Sequence, residues 1–181
     1  MNRILAIPGS LRRESVNRKL LHAARGMAAT ALDIRIEEEL GTLPLFNEDI
    51  EPDMLHDSPV SALRARVDES DALLIATPEY NQSIPGVLKN AVDWLSRPAP
   101  DRDVLANKRV VVIGATGGRW GTRLAQAALR QTLFATESHV LIAPPLYVAD
   151  AGSLFDACGD LRDERTRASL GRIVEFLAAI D

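Results

Sequence analysis

At 181 residues and 46% hydrophobic, the chain is long enough to bury a full core in one domain and has ordinary globular composition. Its net charge of −4 and lack of long basic runs argue against a nucleic-acid surface, and no apolar run approaches the ~20 residues of a membrane span. A single cysteine, Cys158, excludes an intrachain disulfide and a multi-cysteine metal site; with an amino terminus that enters a strand pattern without an apolar leader, this predicts a cytoplasmic protein of one domain, residues 1–181.

Arg3 to Pro8 is a short apolar run of the kind buried on both faces of a parallel sheet. It ends at Gly9-Ser10, and Leu11 to Ser15 lead into a helix carrying Val16, Leu20, Leu21 and Ala24. Strand, hydroxyl-bearing loop and helix make a phosphate cradle, because free N–H groups and the positive end of the helix dipole favour an anion. Ser10, Ser15 and Asn17 supply donors, Val16 lies at the helix start, and Arg12 adds a charge-assisted contact. Neither GxGxxG nor GxxxxGK[ST] is present, so a monophosphate suits the loop better than a pyrophosphate or triphosphate. The plainer alternative is that Ser15 caps the helix and the arginines are solvated.

Leu32 to Leu40 reads as a second strand, with Glu37, Glu38 and Glu39 as its solvated end. Residues 52–60, with His56 and Asp57, form a connector that carries only a weak metal signal. Val60 to Ser70 is helical, with Leu63 and Val67 inward, and delivers the chain to an apolar strand, Ala72 to Ala76. The loop that follows lies at a strand's carboxyl end, where open α/β sheets bind ligands. Pro78 stiffens it, Tyr80 offers a flat wall, and Asn81, Gln82 and Ser83 can read a ring edge; Glu79 is the odd member. A helix begins near Pro85-Gly86 and turns Leu88, Ala91, Val92 and Leu95 inward.

The pattern PEYNxSxPGxLKNAxDWxSR over residues 78–97 resembles the signature of the NADPH-dependent FMN reductase family, flavodoxin-like enzymes that include chromate, quinone and azo reductases. GSLRxxSxN at residues 9–17 is similar to the same family's FMN-phosphate loop. Leu43 to Asp49 resembles its LPxYNxD segment, with Phe46 in place of the usual tyrosine; it either borders the active-site mouth or a subunit contact, or is a packed surface loop.

Residues 99–103 form a turn-rich break before a fourth strand, Val110 to Ile113, which runs into a third loop, Gly114 to Gly121. Its glycines permit close approach and positive φ, and the resemblance implies Thr116, Gly117 and Gly118 as contacts to the flavin's pyrimidine edge. Arg119 and Trp120 can overhang the pocket, meet a nicotinamide dinucleotide phosphate or reach a neighbouring subunit, and the sequence does not choose. The Arg130-Gln131 pair in the next helix resembles a family RQ found near subunit contacts, or is plain exposed helix. His139 to Ala143 is a fifth strand, Leu146 to Val148 continue over the surface, Cys158 is incidental, and Leu161 to Ile180 is a closing helix.

Alternating strands and helices imply a parallel sheet covered on both faces. To this α/β reading the resemblance adds a flavodoxin-like three-layer sandwich with a five-stranded sheet of order 2-1-3-4-5. The loops after the first, third and fourth strands then meet, and the implied cofactor residues are Ser10, Arg12, Ser15, Val16, Asn17, Pro78, Glu79, Tyr80, Asn81, Thr116, Gly117 and Gly118. The resemblance further implies hydride transfer from NADPH or NADH to FMN and then electrons to a small-molecule acceptor by a ping-pong mechanism, with no protein nucleophile and no metal. The acceptor could be a quinone, an azo compound, chromate or free flavin. It also implies a homodimer or homotetramer. The alternative is a flavodoxin-like FMN electron carrier serving a protein partner, a type that tends to be more acidic than this chain.

Overall fold

The apolar strand runs pair as the alternation requires. In a computed structural model, which describes residues 1–28, 30, 32–97 and 103–180, the strands Asn2–Pro8 (β1), Leu32–Ile36 (β2), Ala72–Ala76 (β3), Arg109–Ala115 (β4) and His139–Val140 (β5) are parallel in the order β2-β1-β3-β4-β5. In the central strand, Leu74 stands between Ala6 and Val111 in register, and all of β3 is buried, as a strand covered on both faces must be. Residues 99–102 of the expected turn-rich break lie outside the described residues.

Helices Val16–Met27 (α1), Pro59–Glu69 (α2), Gly86–Leu95 (α3), Arg123–Ala135 (α4) and Glu164–Ala178 (α5) cover the sheet. On one face Ile4, Ala6, Leu74 and Ile113 pack with Leu20, Leu21 and Ala24 of α1 and Leu170, Ile173 and Leu177 of α5. On the other, Leu5, Ile7, Leu73, Ile75 and Val112 pack with Leu63 and Val67 of α2, Leu88 and Val92 of α3, and Leu129 and Leu133 of α4. Alternate side chains of each strand therefore feed opposite cores, and the three-layer, flavodoxin-like architecture follows.

Three expectations need correction. β2 ends at Ile36 because Glu37 turns inward: its carboxylate is 1% exposed, accepts from the Glu39 N–H at 2.7 Å and is gripped by Arg66 Nε at 2.8 Å and Nη2 at 3.2 Å. It is a buried, paired acid rather than a solvated strand end. The fifth strand stops at Val140, and after Pro144-Pro145, which cannot donate to a ladder, Tyr147–Val148 (β6) rejoins β4 beside Gly114 and Ala115. Leu146 and Val148 are thus buried core residues and not surface chain. α5 starts at Glu164, capped by Asp163, whose carboxylate accepts from Thr166 N–H at 2.7 Å; Leu161 belongs to a bridge with Phe155.

Candidate functional site

The loops after β1, β3 and β4 leave the sheet side by side because the ladder continues into them. Gly9 N–H donates to Ala76 O at 2.9 Å and Thr77 N–H to Ile113 O at 3.0 Å. Gly9 fits closely there, since a Cβ would press on Leu88, Pro78 and the Ala76 carbonyl at 3.1–3.3 Å. Ser10, buried, meets the Tyr80 hydroxyl at 3.3 Å, so the first two loops touch at the carboxyl edge of the sheet.

In the first loop, Ser15 is the N-cap of α1 and accepts from Arg18 N–H at 3.3 Å. The helix then opens Val16-Asn17-Arg18 without an acid, so its N-terminal N–H groups and dipole face outward uncompensated by a carboxylate of their own turn. Glu14, just before it, is neutralised by Lys19 at 2.6 Å, which holds its carboxyl below the ordinary range through a hydrogen bond and charge. Arg12 is exposed beside this start. The Asn17 side chain also has a structural role: it is buried, donating to Ala115 O and accepting from Ala115 N–H, both at 2.8 Å. That carboxamide ties the first loop to the end of β4 and keeps one amide hydrogen beyond those two bonds.

In the second loop, Thr77 and Pro78 are buried and Tyr80 is 46% exposed. Tyr80 and Ser83 exchange main-chain hydrogen bonds at 3.1 and 3.0 Å around Asn81 (φ 50°) and Gln82 (φ 62°). Two successive positive φ values make a type I′ turn. Asn tolerates that region; Gln82 does so at a cost on the order of 1 kcal/mol. Glu79 points away from the turn, its Oε2 accepting from the N–H groups of Leu124 at 2.8 Å and Ala125 at 2.9 Å at the start of α4.

In the third loop the two glycine roles fall on its ends. Positive φ falls on Gly121 (67°), whose Cβ would stand 2.8 Å from Tyr147 O, and not on Gly117 or Gly118. Gly114 is required for close approach: a Cβ would overlap Thr122 Oγ1 and lie 2.5 Å from Thr77 O. Thr116 is held at N–H by Val148 O and at its carbonyl by Ala151 N–H, both at 2.9 Å, and its Oγ1 accepts from Gly118 N–H at 3.2 Å. A Cβ on Gly117 would meet nothing within 4 Å, so the loop's crest is open space. Arg119 lies 5.1 Å over the exposed Trp120 ring and Arg123 5.9 Å over Tyr147.

Much of the 78–97 pattern builds rather than binds. Asn90 accepts from Phe46 N–H at 2.7 Å and donates to Pro44 O at 2.9 Å, where Trp94 Nε1 also donates at 2.8 Å. Phe46 stacks edge-on against Trp94, and Arg97 pairs with Glu51 and Glu48. The 43–49 segment is therefore clamped to α3, which favours the packed-loop alternative. Buried Arg64, its pKa pushed below the usual guanidinium value by desolvation, donates to the carbonyls of Trp94 and Arg97 that end α3. The sequence carries no signal for the Glu79 contact or for buried Gln126, which donates to Leu146 O at 2.9 Å. Among the described residues no cluster of three or more His, Cys, Asp or Glu side chains could hold a metal.

A model of the NADPH-dependent FMN reductase family matches residues 2–153. The chain belongs to that family. An NAD(P)H-dependent FMN reductase of Pseudomonas aeruginosa is 41% identical over 97% of this chain and 92% of its own length, and a 2-hydroxy-1,4-benzoquinone reductase of a Burkholderia species is 36% identical over 98% and 94%. The solved structure of the flavoenzyme NAD(P)H:(acceptor) oxidoreductase of Paracoccus denitrificans superposes with a TM-score of 0.86 at 33% identity, covering 98% of this chain and 96% of that one. As a family member this is an NAD(P)H-dependent oxidoreductase that works with FMN. The donor set fits that cofactor. An acid-free helix start beside Ser10 and Arg12 suits a phosphate, the flat Tyr80 side chain suits a ring, and the open crest at Gly117 gives a ring edge room to approach main chain.

Proposed function

We propose that residues 1–181 form one FMN-binding domain whose first, second and third loops hold the cofactor, and that the protein passes electrons from NADPH or NADH to a small acceptor by a ping-pong mechanism. The observation that carries this reading is the junction of the first two loops at Ser10 and Tyr80, next to the acid-free start of α1. Ser10, Arg12 and the helix-opening residues Ser15, Val16 and Asn17 take the phosphate, the last three through main chain. Pro78, Glu79, Tyr80 and Asn81 line the ring, with the strained turn at Asn81 and Gln82 fixing where the Tyr80 face stands. Thr116, Gly117 and Gly118 border the ring edge. FMN held by these residues would supply the redox chemistry that links the nicotinamide to the acceptor.

Quinones are the favoured acceptor class, supported by the name of the Burkholderia relative; azo compounds, chromate and free flavin are the others. We assign the protein to the cytoplasm as a homodimer or homotetramer. The single cysteine suits a reducing compartment, and exposed Leu124, Phe134 and Ile142 suit self-association. No described helix is long and apolar enough to cross a membrane.

Purified protein should show a bound-flavin absorbance that anaerobic NADPH or NADH bleaches and a quinone restores, and initial rates with both substrates varied should give parallel double-reciprocal lines. Bleaching that required a reductase protein would instead identify an electron carrier, and a colourless protein that failed to bind added FMN would refute the assignment.

A further inference from the structure

Helix α4 begins without a cap of its own. Thr122 holds the N-cap position in the left-handed region (φ 59°), and its hydroxyl accepts from Gln126 Nε2 at 3.1 Å instead of from the first-turn amides. The first turn, Arg123-Leu124-Ala125, holds no acid. The missing acceptor comes from the second loop, where Glu79 Oε2 takes the N–H groups of Leu124 and Ala125 at 2.8 and 2.9 Å. Two helix starts therefore flank the candidate site in opposite states. The start of α1 is capped only by the neutral Ser15 hydroxyl and, on the proposed function, takes a ligand anion, whereas that of α4 is satisfied by a carboxylate of the protein itself.

We infer that Glu79 is a positioning residue that fixes the second loop to the start of α4 beyond the third loop and, by holding a negative charge there, keeps the reduction potential of bound FMN low. This rests on the proposed placement of FMN among the three loops. Its first half is mechanical: beyond the ladder that sets the loop bases, residue 79 is joined to the start of α4, just past residues 114–121, by hydrogen bonds that bridge 45 and 46 positions of chain. Its second half is electrostatic. Reduction adds negative charge to the flavin, and a fixed carboxylate nearby opposes that charge, while an unoccupied helix N-terminus would favour it.

Two substitutions separate the halves. Glu79→Gln keeps an acceptor oxygen for the amides but removes the charge, so the midpoint potential of bound FMN should shift positive; a potential unchanged or shifted negative would overturn the electrostatic role. Glu79→Ala removes the acceptor, so in the apoprotein the amides of Leu124 and Ala125 should exchange faster than in the wild type, and FMN affinity should fall by about two- to thirtyfold, the equivalent of a lost cap. Unchanged amide protection would overturn the positioning role. The exchange measurement needs no flavin, so a wild-type protein that bound none would defeat the cofactor assignment while leaving the cap tested on its own.

Discussion

Asn17 shows how a residue that looks made for a ligand can be claimed by the fold. Its position at a helix start after a hydroxyl-rich loop reads as a phosphate donor, yet its carboxamide both donates to and accepts from the main chain of Ala115, 98 positions away. Nothing in local spacing announces a partner at that distance, so only the helix-start position was legible. The same holds for Glu79, which stands in a ligand loop and whose partners lie on another element. Replacing Asn17 by Ala leaves a buried N–H and a buried C=O of β4 without partners, which should destabilise the apoprotein by about 2–4 kcal/mol. The check is the urea midpoint at unchanged m-value. A variant with weakened FMN binding but a wild-type midpoint would return the side chain to the ligand.

Elements were legible where apolar periodicity was strong and blurred where a polar group intervened. α2 and α3 fall within a residue of their expected starts, because Pro59 and Pro85 mark those starts and inward leucines recur at helical spacing. β2 and α5 are shorter than the pattern predicts, since the chain turns after Glu37, whose N–H makes a last ladder bond to Ala6 O and whose carboxylate is held by Arg66, and Asp163 starts α5 with a cap. That cap has a pH signature. Hydrogen bonds from the side chain and N–H of Thr166 hold the Asp163 carboxyl below its ordinary value, and a hydrogen bond from Arg162 does most to hold Asp156 low in the preceding loop. A carboxyl depressed in the folded state contributes stability that is complete above its unfolded pKa, about 3.9, and is lost as pH falls toward the folded value. Thermal unfolding below about pH 4 should therefore be less steeply acid-dependent in Asp163→Asn, which keeps a capping oxygen but does not titrate. An acid limb superimposable on the wild type would show that the cap carries no linkage.

For the whole molecule, the sheet order and the common edge of three loops were readable because the runs of β1, β3 and β4 are mostly apolar and the 78–97 pattern pointed to a family of α/β sandwiches with that order. The split of the last strand was not, since two prolines look like an ending until Tyr147 and Val148 are seen beside Gly114 and Ala115. That split leaves the β5 side of the sheet thinly covered. Ile142 is 97% exposed there, and α4, which packs against β5, carries Phe134 at 81% exposed with Leu124 at its other end. Large apolar side chains so placed cost solubility in a lone chain and become buried area in an assembly. A charge introduced on that face would have to be desolvated on association, so Phe134→Glu should lower the mass measured by sedimentation equilibrium to that of a single chain, with far-ultraviolet circular dichroism unchanged. If the variant sediments as the wild type does, the contact between copies uses another face. If the wild type is itself monomeric, the exposed α4 residues are simply surface and the proposal of a homo-oligomer falls.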